Sequence, residues 1–246
     1  MAKTHKNMRF LLSLSSLYFI LLGIDMYAEL FQLYFVVVCV KPLLMPILLV
    51  IFALNAEEHF PRERTVMEVA LVCSFLGDVL LLQPTGDRFL FGLVAFLITH
   101  ISYMVLFSVR LREEGDALKQ RLTLTKALTA AIPFLFYILV VLYIFCPRLS
   151  NEQDGNQALL IPVAIYTVVI VTMSYSAFIR DSSVNGFWTV FTGAVLFVLS
   201  DTFLAFNKFI VPIPAAPFFV MSTYGIGQYL ITLGILKVTT KEVKTP

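Results

Sequence analysis

Charge is what this sequence has least of: only 14% of its 246 residues are Asp, Glu, Lys or Arg, against about 25% in soluble domains. With 59% hydrophobic residues and a mean hydropathy of +0.87, that scarcity excludes a soluble globular chain. Cysteine is scarce too. Cys39, Cys73 and Cys146 are odd in number, lie in or at the ends of apolar stretches and show no CxxC spacing, which argues against a disulfide framework and against a zinc site. The chain has no P-loop, no GxGxxG, no GxSxG and no HExxH, so nucleotide, haem and serine-hydrolase readings lose their usual support.

What is present is a series of long apolar runs. About 20 apolar residues are needed to cross the roughly 30 Å hydrocarbon core. Eight runs approach that length, at about 10–27, 30–53, 66–83, 88–109, 126–146, 157–179, 187–207 and 213–236. Little sequence remains outside them, and they lack the two-residue alternation of barrel strands. The expectation is therefore all-α: one integral-membrane domain over residues 1–246, a polytopic bundle of eight transmembrane helices.

Lys and Arg set the expected orientation. Lys3, Lys6, Arg9, Arg62, Arg64, Arg110, Arg112, Lys119, Arg121, Lys126, Arg180, Lys237, Lys241 and Lys244 fall on one side of an eight-span chain, against Arg88, Arg148 and Lys208 on the other. The excess predicts cytoplasmic N- and C-termini. The net charge of +2 then reports topology, not affinity for nucleic acid. The first run follows a basic start, but Met26-Tyr27-Ala28 is a poor signal-peptidase site, so it reads as an uncleaved helix.

Against this apolar background Lys41, Asp78, His100 and Asp201 stand out, because a charge at mid-membrane costs about 2.5–3.5 kcal/mol or more and is retained for a purpose. At 1.5 Å per residue, Lys41 and His100 fall near mid-membrane, while Asp78 and Asp201 share a depth roughly 8–9 Å below the non-cytoplasmic surface. Phe89, Gly92, Phe96, His100 and Tyr103 recur at helical spacing and make one stripe. Gly77 and Ser200 each precede an Asp, where a small residue lets helices or substrate approach. Tyr224 and Gln228 share a face of the last run. Pro42 frees a backbone carbonyl beside Lys41. Simpler readings stand beside these: Lys41 as the structural ion-pair partner of Asp78 or Asp201, the Phe stripe as helix packing, and Asp25 as an interfacial residue. A weak echo between the Asp78 and Asp201 segments hints at a four-plus-four duplication.

Lys41-Pro42, Gly77-Asp78 followed by Leu80-Leu81, the stretch from Phe89 through Gly92 and Phe96 to His100 and Tyr103, and Ser200-Asp201 together resemble the YhhN-like lysoplasmalogenase family. The stretch from Ser200-Asp201 through Asn207, Pro212, Pro214 and Tyr224 to Gln228 is similar to the animal members in particular. The resemblance covers about residues 30–236. It implies an eight-span hydrolase that cleaves the vinyl ether bond of lysoplasmalogens, choline or ethanolamine, into a fatty aldehyde and a glycerophospho head group. It also implies the endoplasmic reticulum membrane in a eukaryote, or the cytoplasmic membrane in a bacterium.

The chemistry suits the residues. A vinyl ether hydrolyses by protonation of its β carbon, giving an oxocarbenium-like cation that water attacks, and glycosidases manage such a cation with two carboxyl groups. Asp78 and Asp201 are accordingly expected to be catalytic. Lys41, His100, Tyr103, Tyr224, Gln228 and Ser200 are expected to position substrate or water. No metal or organic cofactor is required. The expected partners are a lysophospholipid substrate and membrane lipids, with no nucleic acid. The same buried polar groups also suit a proton-coupled transporter or lipid-handling protein, or polar residues that only fix helix packing.

Overall fold

The computed structural model describes the backbone of residues 2–56, 61–83, 85, 87–113, 124–150, 157–180 and 186–239, and no strand occurs among them. Among the described residues eight long helices follow one another: α1 (Ala2–Leu30), α2 (Tyr34–Asn55), α3 (Pro61–Leu81), α4 (Asp87–Glu113), α5 (Leu124–Leu149), α6 (Leu160–Phe178, entered through a 3-10 turn at Gln157–Leu159), α7 (Phe187–Phe209) and α8 (Ala216–Thr239). All but α3 are long and apolar enough to cross a membrane, seven in all. This is an integral-membrane chain, because helices satisfy their own backbone where no water can.

The exception has a local cause. α3 starts at Pro61, where a missing N–H is tolerated, and its first two turns carry Arg62, Glu63, Arg64 and Glu68 before the apolar run begins. Arg64 and Glu68 pair at 2.9 Å, four residues apart. These charges extend the helix ahead of its apolar part. At the other end of the chain, Pro212 and Pro214 delay α8 to Ala216, and Asn207 closes the preceding loop by accepting the Ile213 N–H at 2.9 Å.

The packing order is a ring. α1 packs on α2, α2 on α3, α3 on α4, α4 on α6, α6 on α7 and α7 on α8, and α8 returns to α1. α5 stands outside this ring, against α6 with a slight touch on α7, and it is the least buried of the candidate spans. Tyr18, Leu44, Met45, Leu48, Met67, Tyr103, Phe107 and Phe197 fill the centre of the ring. A smaller cluster around Phe145, Leu149 and Val163 seats the far end of α5.

The tightest seam is α7 on α8, where glycines let two backbones meet. A Cβ at Gly193 would lie 2.7 Å from the Gly227 carbonyl oxygen, and one at Gly227 would lie 2.9 Å from the Gly193 oxygen. In lipid, where helices gain little from hydrophobic burial against each other, such close approach supplies the packing attraction. This seam fixes the two helices that carry Asp201 and Tyr224.

Candidate active site

Asp201, on α7, is held by two neighbours from other helices. Tyr166 on α6 donates its hydroxyl to Asp201 Oδ2. His100 on α4 brings Nε2 to 2.9 Å from the Tyr166 oxygen and to 3.4 Å from Asp201 Oδ2. Because the Tyr166 proton is committed to the carboxylate, the Tyr166 oxygen accepts from His100, which places that ring's proton on Nε2. His100 Nδ1 is buried without a hydrogen-bond partner, and the ring is wedged against Phe197 with centroids 4.6 Å apart. The Tyr166 hydrogen bond and the His100 contact both fall on Oδ2; Asp201 Oδ1 takes no hydrogen bond among the described residues.

A cavity of about 60 Å³ opens on Asp201 and Tyr166, walled also by Phe89, Phe96, Tyr137 and Thr202 among others. It has room for a few waters and reacting atoms. Tyr137 on α5 is hydrogen-bonded to Thr202, the residue after Asp201, so the outlying helix is tied to α7 beside the Asp201 carboxyl group.

Asp78 lies in a second polar cluster. It is 3% exposed, and Tyr224 on α8 donates to its Oδ2 at 2.9 Å. The Tyr224 ring sits edge-on to Phe96 and Phe197, and these two rings meet each other at 6.1 Å. Gly77 makes room for Phe96: a Cβ there would be 2.6 Å from the Phe96 ring. The aromatic wall thus separates the two carboxyl groups, and no hydrogen bond among the described residues joins them. Of the two, only Asp201 lines the cavity.

The remaining expected residues divide. The α4 stripe is buried on one face as its spacing predicts, with Phe89, Phe96, His100 and Tyr103 all under 9% exposed. Tyr103 donates to Gln228 Oε1 at 2.5 Å, and Gln228 Nε2 donates to Ser74 at 2.9 Å. Ser74 in turn meets Thr99 at 3.2 Å. This chain ties α3, α4 and α8 together and uses up the polar atoms of Gln228 in packing, not at the cavity. Ser200 donates to the Val220 carbonyl at 3.0 Å and so pins α7 to α8 beside the catalytic candidate.

Lys41 is paired with neither Asp78 nor Asp201. Its Nζ meets Glu29 Oε1 at 3.1 Å, because Glu29 ends α1 and the short turn into α2 brings the two helix ends side by side. Asp25 also departs from its reading as an interfacial residue. It is fully buried, and neither of its oxygens has a hydrogen-bond partner.

Tyr166 and Tyr137 are the site residues that sequence reasoning did not single out. A signal for both existed: each is a Tyr well inside an apolar span, away from the interfacial belts where Tyr is expected in membrane proteins. Among the described residues no three His, Cys, Asp or Glu side chains converge as a metal site requires.

Comparison with known proteins agrees with the motif resemblance. A family model described as the YhhN family matches residues 36–235. The chain is 30% identical to lysoplasmalogenase TMEM86B of Sus scrofa over 191 residues, 78% of this chain and 72% of that protein. It is 32% identical to lysoplasmalogenase TMEM86A of Homo sapiens over 174 residues, 69% of this chain and 64% of that one. A lysoplasmalogenase of Mycobacterium bovis is 29% identical over 187 residues, 75% and 66% of the two chains. No solved structure matches. With a family match from α2 to α8 and relatives of animal and bacterial origin at about this identity, the chain belongs to the YhhN family.

Proposed function

We propose that this protein is a lysoplasmalogenase, hydrolysing the vinyl ether of lysoplasmenylcholine and lysoplasmenylethanolamine to a fatty aldehyde and the glycerophospho head group. The observation that carries the reading is Asp201: a carboxyl group that faces a cavity, held at one oxygen by Tyr166 and His100. The relatives named lysoplasmalogenase favour hydrolysis over the carrier alternative.

In the proposed reaction Asp201 starts as the acid. It transfers its proton to the β carbon of the vinyl ether, and the α carbon becomes an oxocarbenium-like cation. The carboxylate left behind faces that cation and stabilises it by charge, at short range in a water-poor cavity. Asp201 then takes a proton from the attacking water, which adds to the α carbon as hydroxyl and returns the carboxyl to its acid form. The resulting hemiacetal collapses: its hydroxyl proton passes to the departing glycerol oxygen, the C–O bond breaks, and the aldehyde is released. One water is consumed and no charge is left over. Tyr166 and His100 hold Oδ2 throughout, which leaves Oδ1 for the moving proton.

Asp78 acts at one remove in this scheme. By accepting from Tyr224 it fixes the ring that backs Phe96 and Phe197, the wall behind His100. Lys41, Tyr103, Gln228 and Ser200 set helix positions in the same manner.

The proposal includes eight spans with both termini in the cytoplasm. α3 packs between α2 and α4 like any other member of the ring, and the Lys and Arg distribution supports the orientation. In a eukaryote the site is then the endoplasmic reticulum membrane, and in a bacterium the cytoplasmic membrane. The test is purified protein offered lyso-lipids that share a head group but carry a vinyl ether, an alkyl ether or an ester. Aldehyde from the vinyl ether alone is expected, since only that linkage gives a stabilised cation on protonation. Comparable ester cleavage would overturn the mechanism.

A further inference from the structure

The Asp201 cavity is too small to hold a fatty chain as well as the reacting atoms, and a second, larger space adjoins it. A crevice of about 520 Å³ lies between α5, α6 and α7, lined by Ala130, Phe134, Phe178, Phe191, Val195 and Leu199 among others. That volume is in the range of roughly 300–1,000 Å³ in which ligand sites fall. Among the described residues no charged one lines it, and apart from the hydroxyls of Thr129, Ser174 and Tyr137 the wall they form is hydrocarbon. Tyr137 and Val198 border both the crevice and the Asp201 cavity.

The cause is the position of α5. It leans on α6 and barely meets α7, so a gap remains open along the outside of the ring. The gap narrows at Tyr137, whose hydroxyl is bonded to Thr202 next to the catalytic candidate.

Building on the lysoplasmalogenase reading, we infer that this crevice is the binding site for the substrate's hydrocarbon chain, reached sideways from the bilayer between α5 and α7, with Tyr137 and Val198 as its neck. The chain's reactive end sits at Asp201 and its tail passes the neck into the crevice. The head group accordingly points the other way, toward the end of α7 that carries Lys208. An apolar chain gains little by leaving lipid for a hydrocarbon-lined groove, so the crevice serves to align the chain, placing the vinyl ether at Asp201 when the tail is seated.

Two experiments test this. In the first, the wild-type protein in detergent is irradiated with an alkyl-ether lysophosphatidylcholine bearing a diazirine near the chain end, a probe the proposed chemistry cannot cleave. Crosslinks should map to the crevice segments of α5, α6 and α7 and disappear with excess unlabelled alkyl-ether lyso-lipid. Labelling that resists competition, or that falls mainly on α1 and α2, overturns the inference.

In the second, Ala130→Trp and Val195→Trp fill the crevice from opposite walls, and kcat/KM is compared for long-chain and short-chain alkenyl substrates. The long-to-short ratio should fall by about tenfold or more, the scale on which an apolar pocket discriminates chain size. A ratio within about twofold of wild type in both variants contradicts it. If wild-type protein releases no aldehyde from either substrate the hydrolase reading fails, and the crosslinking result alone then decides whether the crevice holds a chain.

Discussion

Tyr166 donates a hydrogen bond from its hydroxyl to Asp201 Oδ2 while its oxygen lies 2.9 Å from His100 Nε2, so residues of α6, α7 and α4 converge on one carboxyl group. Tyr166→Phe keeps the ring and removes the bridge. The expected result is kcat lower by about tenfold to a hundredfold, as for loss of a group that orients a catalytic one, with KM nearly unchanged. Steady-state kinetics on the purified variant check this, and a change confined to KM would contradict it.

Asp78 and Tyr224 form a unit behind Phe96. Asp78→Asn and Tyr224→Phe should each reduce turnover by about tenfold, and the double variant should be no worse than either alone, because both break the same contact. Multiplying defects would show that the two act separately.

The ion pair between Lys41 and Glu29 is partly buried, with side chains 14% and 17% exposed. Lys41→Met leaves Glu29 without its cation and should destabilise the protein by about 1–3 kcal/mol, below the cost of breaking a fully buried pair because both side chains keep some exposure. Adding Glu29→Gln should recover part of the loss. Thermal unfolding in detergent measures both, and the specific activity of the folded fraction should stay near wild type.

Gly193 faces the Gly227 carbonyl with no space for a methyl group. Gly193→Val forces α7 away from α8 and should lower stability by about 1–3 kcal/mol, the usual cost of overpacking. An unchanged melting temperature would mean the seam is looser than described.

For topology, single cysteines at Asp116→Cys and Glu242→Cys in a cysteine-free background should both react with a membrane-impermeant reagent only when the cytoplasmic face is open. Labelling from opposite faces contradicts eight spans.

Apolar run lengths are a strong signal in lipid, and the helices fall within a few residues of the runs, except where charge or proline intervened: α1 starts at Ala2 and α3 at Pro61, each ahead of its run, because their charged first turns are also helical, and α8 starts late because of Pro212 and Pro214. The stripe from Phe89 to Tyr103 was legible because one helix presents it. Which residues meet across helices was not. Lys41 finds Glu29, not an Asp of the site, because the turn after Leu30 sets the register of α1 against α2, and sequence spacing carries no information about that. The same holds for Phe96 and Phe197, whose rings stand between Asp78 and Asp201, and for Tyr166, whose value depends on where α6 stands relative to α4 and α7.

The most direct test is the rate of fatty aldehyde release from lysoplasmenylethanolamine by Asp201→Asn, set against wild type at matched folded concentration. Asn keeps the side chain's size and loses both the acidic proton and the charge, so release should fall by at least about a hundredfold while the variant unfolds at or above the wild-type temperature. A folded Asp201→Asn protein that releases aldehyde at a rate near wild type would contradict the account.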